Sequence, residues 1–466
     1  MQKPEIFKIL NFPLTDAGNA ERLQTVMAGD WRYIPEIRRW LHWNGQHWKE
    51  TEQAAVLVAA VEAFRQMADA VCKLPRPQDE YERKRSDAVI TFIERSENTA
   101  KLRAALAFLE GLLAADYSQF DANAWQINCL NGTLALKTSR LKAHDKTDYL
   151  IHITGAAYKE RCPEASLWAS TVEEILPVPS IRRWMQKWCG YCLSGSTQEE
   201  RFVVAFGPGG RGKGTFFETV AAALGDYKAS ILIDVLLANG ILKTGDAPTP
   251  EIAKLPGKRY VLSSESGKGR RLDEAKIKLL TGGDVLTARR IGAQPFEFRP
   301  SFKLILQTNF LPSIADSLDE GIRRRMVIIP FNAPIARRNS RLKSELLKPE
   351  NLADCLTWCV TGCKMWLAEG LDDLPAEAAE AAEKFYHEND LLGQWLETET
   401  EYCQGGFLPF DKALQSFNRW LAAGGSGSFY QRRGFAEGME RHRKPKIRRN
   451  SGFGFADLAL VNWKNE

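Results

Sequence analysis

The stretch Phe202-Val203-Val204-Ala205-Phe206-Gly207-Pro208-Gly209-Gly210-Arg211-Gly212-Lys213-Gly214-Thr215-Phe216 decides the fold. Its first five residues form an unbroken apolar run of strand length, the pattern of a strand buried on both faces of a sheet. The glycines and the proline that follow break regular structure. From Phe216 to Leu224 the pattern turns helical, and Gly225 stops it.

A strand, a glycine-rich turn and a helix in register make a phosphate cradle. Glycines let backbone N–H groups converge on phosphate oxygens, the helix amino end adds partial positive charge, and Lys213 adds a point charge. Gly207, Pro208, Gly209, Gly210, Arg211, Gly212, Lys213, Gly214, Thr215 and Phe216 are therefore the candidate nucleotide-binding residues. Gly214 stands where a Ser or Thr usually offers its hydroxyl to Mg²⁺, which leaves Thr215 as the expected hydroxyl ligand. Gly-Lys-Gly-Thr also occurs in nucleoside monophosphate kinases, so phosphoryl transfer to a nucleotide is the competing reading.

Further along, Arg259-Tyr260-Val261-Leu262-Ser263-Ser264-Glu265 repeats the buried-strand pattern and ends in a carboxylate. An acid at the carboxyl end of a strand beside a phosphate loop can hold Mg²⁺ or polarise an attacking water. Glu265 is the candidate. Another strand is expected at Lys303-Leu304-Ile305-Leu306, leading into Gln307-Thr308-Asn309, and a last one at Val327 to Ile329, after Arg323-Arg324-Arg325. Between them lie Lys278 to Asp284 and then Thr287-Ala288-Arg289-Arg290, which with Gly292 and Phe296-Glu297-Phe298 reads as a hairpin. Strands alternating with helices from Glu199 to Phe331 are the pattern of an α/β fold.

In this order, the phosphate loop, Glu265, Lys278 to Asp284, the Arg289-Arg290 hairpin, Asn309 and the arginine triplet resemble the superfamily 3 helicase module of phage and plasmid primase-helicases. That group includes the poxvirus-type primase-helicases. The resemblance implies an AAA+-like ATPase ring, usually hexameric, that uses ATP with Mg²⁺ and moves 3′ to 5′ on single-stranded DNA. On it, Lys213 contacts the β and γ phosphates, and Glu265 serves metal and water, with Thr215 as second metal ligand. Asn309 orients the water, and Arg324 is the arginine finger reaching a neighbour's ATP, with Arg323 or Arg325 as alternatives. Arg289 and Arg290 fall on the hairpin that lines a central DNA channel in the family, and Lys278, a further expected DNA contact, lies in the stretch that couples nucleotide to DNA. One departure is Ser264, where an acid usually precedes the glutamate.

The resemblance covers most of the chain. Tyr117 to Ser194 looks like the helical domain before the ATPase, while Thr15 to Ala20 and Trp40 to Gly45 look like the segment that joins it to a primase. No strand-borne Asp-x-Asp suited to nucleotidyl transfer is found, so a primase is expected as a separate replisome partner or upstream. The expected units are a connector with a hairpin at Arg39 to Trp48 (1–98), a helical domain (99–195), the ATPase core (196–345), a helical linker that includes the solvated-looking Ala376 to Lys384 (346–390), and a winged-helix-like domain (391–466). In the last, a Gly-Ser loop is expected at Gly424 to Ser428 and a strand at Leu458 to Trp463. The basic run between the last helix and that strand holds Arg443, Lys444 and Lys446, which are expected to contact DNA, duplex origin DNA being one target. The fold class expected is thus α/β: an AAA+-like P-loop ATPase core with a helical N-terminal domain and a C-terminal winged-helix domain.

Composition agrees with several folded units. Of 466 residues, 44% are apolar and 26% charged, which excludes a disordered or fibrous chain. The net charge of +5 is uneven: Arg432 to Arg449 holds eight basic and two acidic residues, +6, leaving −1 for the rest. A uniformly basic coat is excluded, and contact with nucleic acid must be local. No apolar run reaches membrane-spanning length and the first residues lack the apolar core of a secretory signal, so the expected location is the cytoplasm of a bacterial host cell, with no membrane partner. Nine cysteines without framework spacing are expected as reduced thiols, with Cys355, Cys359 and Cys363 on one helical face. A third reading, besides the helicase and the kinase, is a replication initiator or loader that binds ATP and DNA without unwinding processively.

Overall fold

The computed structural model describes residues 3–238, 249–264, 267, 269–292, 294–335, 339–424, 429–450 and 452–461. At its centre the four apolar runs and an edge strand not expected from sequence, the largely exposed Lys228–Leu232, form a five-stranded sheet of β1 (Phe202–Phe206), β2 (Lys228–Leu232), β3 (Tyr260–Ser264), β4 (Lys303–Thr308) and β5 (Met326–Pro330), in the order β5-β1-β4-β3-β2. Every pairing is parallel. Alternate side chains serve opposite faces. Val203, Ala205, Ile305, Val327 and Ile329 pack with helices Pro179–Tyr191, Lys213–Leu224 and Pro349–Glu369, whereas Phe202, Val204, Leu304, Leu306 and Ile328 pack with Glu274–Thr281 and Ala376–Asn389. Burial on both faces is why β1, β3, β4 and β5 read as near-continuous apolar runs.

The amino ends of the sheet are plugged by the preceding unit. Arg259, just before β3, donates to Leu193 O and stacks over Tyr227 at 4.7 Å. Lys303, at the start of β4, donates to the carbonyls of Ser194, Ser196 and Ser301 and lies 4.6 Å over the Tyr191 ring. Complete burial pushes its ammonium down to about 7, and the three carbonyls satisfy its three donors. The carboxyl ends are left open, and ligands of parallel sheets bind at that end.

The N-terminal part departs from expectation at one boundary. Helices Asp16–Met27, Gln53–Cys72, Glu80–Arg95 and Thr99–Leu112 share one core, in which Leu102, Leu106 and Leu109 meet Leu23, Phe64 and Ile93. The boundary expected at 98/99 is corrected accordingly: the apolar face of Thr99–Leu112 is buried in the bundle before it. Residues 115–195 are mixed rather than helical, a three-stranded sheet (Gln126–Cys129, Gly132–Ala135, Arg140–Lys142) preceding helices Leu167–Ile175 and Pro179–Tyr191. The expected early hairpin forms: Arg39–Trp43 pairs with Trp48–Thr51 across Asn44 to His47, with Gly45 at φ 93°, and Trp31–Ile34 adds a third strand.

The stretch 346–390 is not a linker. Helix Pro349–Glu369 lies in the main core, with Cys355, Cys359 and Cys363 buried. It meets helix Pro179–Tyr191 at a glycine contact. A Cβ on Gly362 would lie 1.9 Å from Gln186 O, and one on Gly190 would lie 2.0 Å from Cys363 N. Gly362→Ala is therefore expected to lower the denaturation midpoint at unchanged slope, a loss of about 1–3 kcal/mol from overpacking two backbones. Helix Ala376–Asn389 likewise buries Ala378, Phe385 and Tyr386 beside the sheet, and is only partly solvated.

The C-terminal unit runs helix Leu391–Glu399, strand Thr400–Pro409, helices Phe410–Ala423 and Arg432–Arg441, then strands Ile447–Arg449 and Gly452–Leu460 around Trp395, Phe417, Phe435 and Phe455. The terminal strand begins six residues earlier than expected and an unforeseen strand, Thr400–Pro409, pairs with it. Residues 425–428 of the expected loop, and Trp463, lie outside the described residues. Arg441 ion-pairs with Asp316, docking this unit on the sheet-bearing core, while His442 Nε2 meets Oδ1 of Asp390, the cap of the unit's first helix, at 3.1 Å. Among the described residues no helix is long and apolar enough to cross a membrane.

Candidate nucleotide-binding site

Gly210 (φ 76°) and Gly212 (φ 80°) hold the phosphate loop in left-handed conformations that favour glycine. At Gly212 a Cβ would also strike Ile175 Cγ1 at 2.5 Å. Gly212 is the residue before helix Lys213–Leu224, so the helix's first N–H groups, which have no partner within the helix, emerge at the carboxyl end of β1. The cleft there has a volume of about 390 Å³. Residues 209–215 form its floor, and Ser264, Gln307, Thr308, Asn309 and Lys343 its walls.

Lys213 is 9% exposed. Its ammonium donates to Gly207 O, to Pro208 O at 3.0 Å and to Asn309 Oδ1 at 3.0 Å, and burial lowers its pKa below the ordinary lysine value. Because β4 lies between β1 and β3, Asn309 follows the strand next to the phosphate loop and is tied to Lys213. Glu265 lies outside the described residues; its neighbour Ser264 ends β3 and lines the cleft. Thr215 also lines it. Phe216 is corrected as a nucleotide contact: its ring is fully buried, 5.5 Å from Trp168 and 6.1 Å from Trp358, and serves the core. Gly207 and Pro208 contribute carbonyls to Lys213.

The three arginines before β5 are sorted by their partners. Arg323 donates to Glu383 at 2.8 Å and lies over Tyr386 at 4.3 Å. Arg325, 8% exposed, donates to Gly321 O at 2.9 Å and to Glu200. Arg324 touches Glu200 at 3.0 Å with a side chain 65% exposed. All three sit at the amino end of β5, whereas the phosphate loop follows the carboxyl end of β1, its parallel neighbour. A five-residue strand separates the two levels by about 16 Å.

The Lys278 ammonium is paired with Asp319, which caps the short helix before the arginines. The hairpin forms as read, Leu286–Arg289 against Pro295–Phe298, with Arg290 5.8 Å over Phe296 and Ile291 80% exposed at the tip. Ala293 lies outside the described residues. In the C-terminal unit Arg443 and Lys446 are exposed and Lys444 half-buried, and Lys446 lies 4.8 Å over Phe453. Glu200, Asp319 and Lys343 carried no sequence signal: each acts on a residue far off in the chain.

A glycine-rich loop between strand and helix on a parallel sheet, with a polar strand end beside it, is the arrangement of a P-loop-like α/β core. Residues 20–177 match the profile described as D5 N terminal like, and residues 205–325 match a family of unknown function, DUF5906. The chain is 29% identical over 257 residues to the helicase-named L207/L206 of Acanthamoeba polyphaga mimivirus (54% of this chain, 26% of that protein). It is 24% identical over 374 residues to the helicase-named 121R of Invertebrate iridescent virus 3 (72% and 39%), and 24% over 212 residues to the primase-named C962R of African swine fever virus (44% and 22%). It therefore spans about a quarter to two-fifths of these relatives' length. The solved C-terminal region of NrS-1 (residues 305–718) superposes with a TM-score of 0.53 at 10% identity, over 95% of this chain and 99% of that one, which shows a shared fold. Over these stretches the chain is similar to viral proteins named as helicases and primases.

Proposed function

We propose that the chain is the ATP-driven DNA helicase motor of a primase-helicase, a superfamily 3 enzyme with an AAA+-like core that works as a homo-hexameric ring in the replication of a phage, plasmid or satellite element. One observation carries the reading: the cleft joins Lys213 to Asn309, while Arg324 stands exposed about a strand length away, out of reach of its own cleft. Lys213 and the helix amino end would hold the β and γ phosphates, and Asn309 would orient the attacking water. Arg324 would stabilise the transition state on a neighbour's nucleotide. Thr215 and Glu265 are hard oxygen donors that suit Mg²⁺, which would neutralise phosphate charge.

Single-stranded DNA would pass the hairpin of Arg289 and Arg290 in the central channel, moving 3′ to 5′ as in the family. Phosphate contacts of this kind read no sequence. The order helix, strand, helix, helix, two-stranded wing in the C-terminal unit supports a winged helix, with Arg443, Lys444 and Lys446 toward duplex DNA. Other replisome proteins, a primase among them, would be its partners, in the host cytoplasm.

A forked substrate tests this. ATP-dependent strand displacement is expected. DNA-stimulated ATP hydrolysis without displacement would instead support the initiator or loader, a reading favoured by Ser264 standing where an acid usually precedes Glu265. Phosphate transfer to a nucleoside monophosphate would support the kinase.

A further inference from the structure

We infer that Lys343 is a second cation of the phosphate site, one that leaves a carboxylate partner for the outer phosphates of a bound nucleotide. The inference rests on the ATP reading above. The chain leaves β5 across the start of the phosphate loop. Phe331 N donates to Phe206 O at 2.7 Å, and a Cβ on Gly207 would lie 2.3 Å from Phe331 O. Helix Leu342–Leu346 then lies against helix Lys213–Leu224, with Leu346 fully buried. Lys343 is thereby brought to the wall of the cleft that Lys213 and Asn309 also line.

Its ammonium is ion-paired with Glu218, and the two side chains are 53% and 51% exposed. The Glu218 carboxylate also covers Gly214, since a Cβ built there would lie 3.4 Å from Glu218 Oε1. Helical side chains lean toward the amino end of their helix, so residue 218 covers the turn that holds 214, and the missing side chain at 214 leaves that space to it. The pair therefore sits over the first turn of the phosphate helix.

A pair of half-exposed groups is screened by water and weak. A triphosphate offers denser negative charge and stronger, charge-assisted hydrogen bonds, and a lysine ammonium on its flexible stem can move to take them. Lys213 is fixed by two loop carbonyls and Asn309. Lys343 instead comes from the segment after β5, whose amino end carries the arginines. A triphosphate thus competes with Glu218 for Lys343, and more strongly than a diphosphate, which lacks the outermost charge.

The test is calorimetric titration of the full chain with ATP and with ADP, each with Mg²⁺, alongside thermal melting. Lys343→Met is expected to weaken ATP about tenfold and ADP less, with Lys343→Arg recovering most of the loss. Glu218→Gln removes the competitor and is expected to keep or tighten ATP binding. If Lys343→Met and Glu218→Gln lower the melting temperature alike and leave ATP affinity unchanged, the pair is structural and the inference falls. ATP affinity lost in Lys213→Ala but kept in Lys343→Met removes the inference alone. A wild-type chain that binds no ATP overturns the ATP reading, and the inference with it.

Discussion

Lys213→Ala is expected to reduce ATP hydrolysis by about 10²- to 10⁴-fold with little change in melting temperature. The ammonium sits at the first turn of the phosphate helix, on the cleft that a nucleotide would fill. Charge-assisted hydrogen bonds are worth about 1.5–3 kcal/mol each. Losing two, to the β and γ phosphates, removes about 3–6 kcal/mol, and each 1.4 kcal/mol or so is a factor of ten in rate. The side chain's other partners are two loop carbonyls and Asn309, at the edge of an open cleft where water can replace it, so the fold should survive. Full turnover in this variant would remove the ATPase reading.

Arg324→Ala is expected to keep ATP binding and lose about 10³- to 10⁵-fold in hydrolysis, the range for an arginine supplied in trans. Arg323 is held by Glu383 and Tyr386, and Arg325 is buried against Gly321 O and Glu200, so Arg324 is the member of the triplet best placed to leave its own chain. Mixing makes the expectation sharper. A Lys213→Ala subunit keeps its arginine and an Arg324→Ala subunit keeps its lysine. In a random one-to-one mixture roughly a quarter of head-to-tail interfaces would pair both intact groups, and ATPase activity should reappear from two inactive proteins. No recovery in mixed rings, or full activity of Arg324→Ala alone, would argue against a shared site.

What was legible in the chain follows from what is local. The phosphate loop, its strand and its helix are adjacent in sequence and constrained by glycine, so their residues predict their structure. The hairpin of Arg289 and Arg290 was legible for the same reason, its alternation and Gly292 lying within one short stretch. The Thr99–Leu112 and Pro349–Glu369 helices were legible as helices but not as members of their cores. A helix shows in sequence which face is apolar, never which other face covers it; only the close approach at Gly190 and Gly362 reveals that the second is a central element. The pairing of Lys278 with Asp319 was not legible because Asp319 belongs to another element, and a lysine in sequence looks equally free whether or not a carboxylate awaits it. Phe216 was counted with the loop because it follows it, though its ring turns into the core.

The amino-acid order alone thus specified a P-loop-like α/β core, since apolar runs of strand length and a glycine turn before a helix admit few other structures. Folding in three dimensions decided the order β5-β1-β4-β3-β2, and with it which groups meet. It set the Asn309 strand beside the phosphate loop, bound Arg323 and Arg325 within the chain while leaving Arg324 exposed, and brought Lys343 to the cleft. Such pairings depend on distances between residues far apart in sequence, and those are fixed by which apolar faces bury one another rather than by any local pattern.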